Sequence, residues 1–496
     1  MKRNIYISET PLESRIAIME DKQLVEFYIE TPEDVSTVGN IYLANIENVQ
    51  QGIHACFMDM GTDQNGFLGF SEMKEYITLE NGSLVPRTFN SSKELKKGQS
   101  ILVQVVKDAY ANKGPRLTTD IAIPGRFAVL TPYHDVIGIS KKIKNYRHRN
   151  KLKEIAKAIK PQGFGIIIRT VADGKKEKDI KNDIKQLTNS WDQLVSAIKA
   201  NDRDPIRVYE NDSMTSSVIR DMFTKEVESV IIDNRRKFRV IQNYVKDVAP
   251  ELYERIFFHK EGSLFSAHGI TDETDKLLRR KVWLKSGGHL IIDHTEAMFV
   301  IDVNSGRYIG QKDQEKNILK VNLEAAKEIA RQLRLRDISG LIVIDYIDMQ
   351  ISENKKELVK TFKDELAKDR ASVSVSDLSR YGLLEMTRER IRLSIMFSLS
   401  DECPMCHGYG RIPSKESMIT KIDSWVRNFR QHTRERRIEL QVHPLLYDFI
   451  KENKKVLRKT QFKYSIKIDL VKEESLGVGS FRFLRKKDKQ DLTNMY

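Results

Sequence analysis

A chain of 496 residues is too long for one hydrophobic core and divides into roughly three to five units at the usual size of a domain. Its 84 basic against 70 acidic side chains leave a formal charge of +14, which points to a polyanionic partner, nucleic acid first among them. Three cysteines exclude a disulfide scaffold, no run approaches the ~18 apolar residues of a membrane span, and the first residues carry no apolar export segment, so the expected compartment is the cytoplasm.

Residues 1–35 alternate apolar and polar groups in three short strands, Asn4 to Ser8, Arg15 to Met19 and Leu24 to Ile29, split by Pro11 and Asp21. From Val38 to Thr119, further short strands punctuated by glycines suit a small closed barrel such as an OB-fold. Phe57 and Phe67, with Lys107 and Lys113, could supply stacking surfaces beside phosphate-seeking charge, although residue type alone places both rings in the core. Residues 120–215 open with strand-like segments, Phe127 to Leu130 and Gly165 to Thr170, around which lie a basic stretch from Lys141 to Lys151 and a helix from Lys178 to Ala200. Residues 216–280 mix helix and strand around the basic cluster Arg235 to Arg239, which reads as a solvated face.

The segment 289–349 carries the chemistry. An apolar strand ends in Ile301-Asp302-Val303-Asn304-Ser305-Gly306, and a helix follows with Ile318, Val321, Ala325, Ile329 and Leu333 on one face. The next strand, Leu341 to Asp348, is again apolar and passes through Asp345. Strand, helix, strand is a βαβ unit with parallel strands, which brings Asp302 and Asp345 out at the same carboxyl edge. Two converging carboxylates repel unless a cation sits between them, and hard oxygen ligands with few protein partners suit Mg²⁺. Asn304, two residues beyond Asp302 on the same side of the strand, could hold that carboxylate in place. The alternative is that both acids are turn or cap groups, as Asp-x-Asn-Ser-Gly often is.

Cys403-Pro404-Met405-Cys406-His407 is half of something: a redox pair, a haem anchor or two of the four ligands of a zinc ion. Without an export signal haem attachment is disfavoured, and glycines after the second cysteine offer no helix to activate a redox thiol. Cys56 lies far away in an apolar stretch, so a complete zinc site would borrow two thiolates from another chain, with His407 a bystander. The last eighty residues keep apolar segments such as Ile438 to Val442 and read as a small α/β module rather than a disordered tail.

Val300 to Gly306, Asn322 to Asp337, Gly340 to Met349, Ser379 to Thr387 and the Cys403 motif, in that order, closely resemble the ribonuclease E/G family in its short, ribonuclease G-like form. The resemblance reaches to about residue 415. It implies a multidomain α/β and β architecture: an RNase H-like domain (1–37 and 216–280) interrupted by an OB-fold RNA-binding barrel of S1 type (38–119) and a 5′-sensor (120–215). A DNase I-like catalytic domain (281–400), a zinc-link (401–414) and a small C-terminal domain (415–496) follow. The implied activity is Mg²⁺-dependent endonucleolytic hydrolysis of single-stranded RNA, leaving a 5′-phosphate and a 3′-hydroxyl, in ribosomal RNA processing and messenger RNA decay.

By the same resemblance Asp302 and Asp345 bind Mg²⁺ and Asn304 assists, while Phe57, Phe67 and Lys113 clamp RNA. Gly125, Lys141, Arg169 and Thr170 sense a 5′-monophosphate, with lysine at 141 where the family more typically has arginine, so the bidentate fork is lost there. Cys403 and Cys406 share one Zn²⁺ with a second subunit, giving a homodimer or a higher oligomer. The rival readings are a non-catalytic RNA-binding or ribosome-assembly factor and a zinc-dependent chaperone module. The latter arises because C-x-x-C-x-G-x-G also repeats in J-domain chaperones, but it occurs once here.

Overall fold

The computed structural model describes residues 2–31, 36–109, 113–200, 205–211, 213–306, 314–392, 394–406 and 408–496. They fall into two units, one ending at Ser398 and one beginning at Leu399. The first unit is a mixed α/β body built on four sheets.

Its N-terminal sheet runs Ile256–Phe258, Val227–Ile232, Arg3–Glu9, Ser14–Glu20, Gln23–Glu30. The first three strands of the chain pair antiparallel, and Arg3–Glu9 pairs in parallel with Val227–Ile232 across two hundred residues of intervening chain. Alternation explains the core: Ile5, Ile7, Ile16 and Ile18 are fully buried and meet Ile219, Phe223 and Val230.

The next sheet closes on itself. Ile41–Gln50 pairs with Ala55–Asp59, that with Gly66–Gly69, then Arg116–Thr118, then Ser100–Lys107, which returns to Ile41–Gln50. Five strands thus form a barrel around Tyr42, Ile46, Cys56, Met58, Leu68, Val103 and Leu117, and closure removes the open edges. A hairpin, Glu75–Glu80 with Ser83–Thr88, and the strand Ile206–Tyr209 extend it. Ile206–Tyr209 falls in the 120–215 segment yet hydrogen-bonds to the barrel strand Ile41–Gln50.

A third sheet, ordered Ile123–Pro124, Ala128–Pro132, Phe164–Ile168, Ile137–Ile139, packs against helices Tyr146–Ile159 and Glu177–Lys199. Thr170, read from the sequence as strand, lies in the 3₁₀ turn that follows it.

The fourth sheet has six strands in the order Lys281–Trp283, His289–His294, Met298–Asn304, Gly340–Asp345, Leu383–Arg388, Val373–Val375. Phe299, Ile301, Val303, Ile342, Ile344, Leu384 and Met386 point to one side, under helices Gln314–Leu335 and Ser352–Leu366. Among the described residues no helix covers the other side, where Asp302, Leu341, Asp345 and Glu385 are exposed. The expected helical stripe holds, with Val321, Ala325, Ile329 and Leu333 buried and Ile318 packed at its margin.

The second unit is a three-stranded sheet, Lys467–Lys472, Arg437–Val442, Phe481–Arg485, with helices Lys415–His432, Pro444–Glu452 and Lys454–Lys463 around a core of Trp425, Phe429, Leu440 and Phe483. No helix among the described residues is long and apolar enough to cross a membrane.

Candidate active site and RNA-contact surfaces

Strands Met298–Asn304 and Gly340–Asp345 are parallel neighbours whose register places Asp302 directly opposite Asp345. Both carboxylates are exposed on the open face, and Asn304 donates from Nδ2 to Asp302 Oδ2 at 2.7 Å. Partial burial pushes the Asp345 carboxyl above its ordinary pKa, and the neighbouring carboxylates of Asp302 and Asp348 push it further. Among the described residues neither Asp302 nor Asp345 has an ion-pair partner. Asp348, read in the sequence only as the end of the strand, is a third acid acting on the site.

The helix Gln314–Leu335 holds this edge in shape. Asn322, fully buried, accepts from Ile347 N and donates to Ile347 O, which fixes the chain just past Asp345. Glu315 accepts from the backbone of Gln350 and Ile351, and Glu324 accepts from Lys285 N and Ser286 N. The turn around Ser286 lies against Gly306, which has φ +62° and where a Cβ would stand 2.4 Å from Gly287 O. A side chain there would push the turn off the end of the Asp302 strand.

On the barrel, Phe57 and Phe67 are in register on adjacent strands, with ring centroids 6.1 Å apart, edge to face. Both are half-buried, whereas their chain neighbours Cys56, Met58 and Leu68 fill the interior. The core placement expected from residue type is therefore corrected: the two rings lie on the barrel's outer face, because alternation sends their neighbours inward. Lys113 is exposed just before Pro115, whose carbonyl accepts from Phe67 N. One corner of the barrel thus carries all three residues.

The third sheet gathers another set. Arg169 Nη1 donates to Gly125 O at 2.6 Å and sits 2.8 Å from Asp221 Oδ1, while Thr170 Oγ1 lies 2.8 Å from Ser140 Oγ, next to exposed Lys141. A Cβ on Gly125 would stand 2.6 Å from Asp183 Oδ2. Asp183 accepts the amides of Arg126, Phe127 and Ala128, which shapes the turn around this glycine. Burial raises the Asp221 carboxyl, but Arg169 and Arg220 outweigh it and hold the group below its ordinary pKa. Sequence reading missed Asp221 and the fully buried Arg126, which donates to Phe223 O at 2.7 Å. Asp221 lies far along the chain from Arg169, and Arg126 from its partner Phe223, so no local signal marks their roles.

In the second unit, Cys403 is exposed and Cys406 half-buried at the two ends of a tight turn. The amides of Met405 and Cys406, and the Cys406 thiol, point at Cys403 and lower its pKa. Amide donors around a thiolate fit a metal ligand, but this turn supplies only two thiols. Among the described residues no group of three or more His, Cys, Asp or Glu side chains is placed to hold a metal ion. His407 lies outside the described residues.

Comparison with known proteins decides the family. A model of the ribonuclease E/G family matches residues 122–391. The chain belongs to the ribonuclease E/G family. It is 34% identical over 421 residues to ribonuclease G of Haemophilus influenzae, covering 84% of this chain and 86% of that relative. Ribonuclease G of Escherichia coli strain K12 is 34% identical over 425 residues, covering 85% and 87%. Ribonuclease E of Haemophilus influenzae is 31% identical over 500 residues, spanning all of this family member but 53% of that longer relative.

Proposed function

We propose that this endoribonuclease cuts single-stranded RNA with Mg²⁺ held by Asp302 and Asp345, favours substrates with a 5′-monophosphate, and serves ribosomal RNA processing and messenger RNA decay in the cytoplasm. The observation that carries the reading is the register of Asp302 with Asp345, two exposed carboxylates with no ion-pair partner among the described residues and with Asn304 bonded to one of them. Such a pair fits a hard dication with few protein ligands. Bound there, Mg²⁺ supplies Lewis acidity and charge neutralisation toward a phosphodiester. Asn304 keeps the Asp302 carboxylate oriented, and Phe57, Phe67 and Lys113 hold the strand by stacking and charge. Arg169, Thr170, Lys141 and the Gly125 turn receive the 5′-phosphate, with Asp221 steering the guanidinium.

The same reading divides the first unit into an RNase H-like part, an S1-type barrel, a 5′-sensor and a DNase I-like catalytic part. The N-terminal sheet, assembled from residues on both sides of the barrel, supports that division. It also makes the Cys403–Cys406 turn half of a Zn²⁺ link between two subunits. Loss of the dimer in Cys403→Ser, and one zinc per two chains by metal analysis, are the expected results; a zinc-free dimer contradicts the link.

The deciding assay uses a short single-stranded RNA with a 5′-monophosphate or a 5′-hydroxyl. Cleavage should need Mg²⁺, be faster on the monophosphate, and fall by on the order of 10³-fold in Asp302→Asn and Asp345→Asn. Parental rates in both variants would sink the assignment.

A further inference from the structure

The open face of the six-stranded sheet continues past the carboxylates toward its edge strand. Asn304 is in register with His289, and His289 with Trp283; Asp302 is in register with Ile291, and Ile291 with Lys281. Directly paired residues of a ladder project to the same side. Lys281, Trp283, His289, Asn304, Asp302 and Asp345 therefore form one stripe, with Trp283 two strand spacings, ~10 Å, from Asn304.

Trp283 is 66% exposed, an unusual position for a side chain that is highly buried on average. Its ring is nonetheless held. The Lys281 ammonium lies 3.9 Å from the ring centroid, and the His289 ring packs beside it at 5.4 Å, tilted by 56°. The arrangement is a large aromatic surface, a cation fixed upon it, and a pair of acids two and three strands away on the same face. A structural role for the indole would bury it. A protein partner would find a lone ring among charged groups rather than a contiguous apolar patch. A single-stranded polyanion with flat bases uses every part of the stripe.

We propose that Trp283 is a stacking platform for a base flanking the phosphodiester at Asp302 and Asp345, with Lys281 meeting the phosphate beside that base. The inference rests on the proposed cleavage site. His289 Nδ1 is buried and without a hydrogen-bond partner, so that nitrogen does not read a base edge. Stacking on an aromatic face tolerates any base, so the subsite grades bases by stacking strength.

The test is a set of short 5′-monophosphorylated RNAs with one defined cut site, each carrying a single abasic nucleotide at a different position. With the parent, KM should rise about tenfold when the abasic nucleotide occupies one position flanking the cut. Trp283→Ala should show that rise with intact RNA and no further rise from the abasic nucleotide there; Trp283→Phe should retain most of the parental KM. A Trp283→Ala KM equal to the parent's overturns the platform, as does a raised KM that still responds to the abasic nucleotide at every position. Quenching of tryptophan emission by RNA, read as the difference between the parent and Trp283→Phe, separates the two readings. Quenching without cleavage fails the cleavage site and keeps the platform; cleavage without quenching does the reverse.

Discussion

On the helix-covered side of the six-stranded sheet, Arg388 is buried and donates to Asp369 at 2.7 Å and to Asp337 at 3.0 Å, and Arg392 adds a second guanidinium to Asp337. A few residues away on the open side, Asp302 and Asp345 face each other with an asparagine as their hydrogen-bond partner and, among the described residues, no cation. Among the described residues, the same part of the fold thus pairs its buried acids with guanidiniums and leaves its exposed pair without a cation. Acids that hold the fold are matched because an unpaired buried charge is costly. Acids without a match at a ligand-binding edge keep an electrostatic debt that a bound cation can settle.

The comparison breaks most visibly by removing a cation from the matched side. Arg388→Met leaves Asp337 and Asp369 buried with too little positive charge and should cost about 3–5 kcal/mol in chemical denaturation. A cost under about 1 kcal/mol would show that the buried network does not hold the sheet. Next comes Glu26, which lies under Arg334 and Arg370 with Tyr28 bonded to it. Burial raises its carboxyl, but the two guanidiniums outweigh this and bring it to about 2 from an ordinary 4.5. A depressed pKa means stability that is present above the ordinary value and lost as pH falls toward the folded one. The account predicts loss on the order of 3 kcal/mol between about pH 4.5 and 2, abolished in Glu26→Gln. Smallest is the effect of the open pair on stability: Asp345→Asn relieves a like-charge contact and should melt within about 2 °C of the parent or above it. A large drop would make Asp345 a structural acid.

The βαβ unit was legible because its strands are continuous apolar runs and its helix carries a clean 3.6-residue stripe, so the sequence alone puts Asp302 and Asp345 at one edge. The short edge strand Lys281–Trp283 was not, since three residues leave no periodicity to read. The open face depends on which side the helices choose, and single-chain patterns do not state that. Arg126 and Arg388 were equally hidden: arginine is ordinarily a surface residue, and only the partners at distant positions, Phe223 for one and Asp337 and Asp369 for the other, reveal its burial. The set proposed to receive a 5′-phosphate was legible only through resemblance. Arg169 and Thr170 adjoin in sequence, but Gly125, Ser140 and Asp221 reach them through folding.

The most direct test of the unmatched pair is a Mg²⁺ titration followed by calorimetry on the parent, Asp302→Asn and Asp345→Asn. The account predicts a Mg²⁺ site in the parent that either substitution abolishes while the fold, by circular dichroism, is unchanged. Undiminished Mg²⁺ binding in both variants would contradict it.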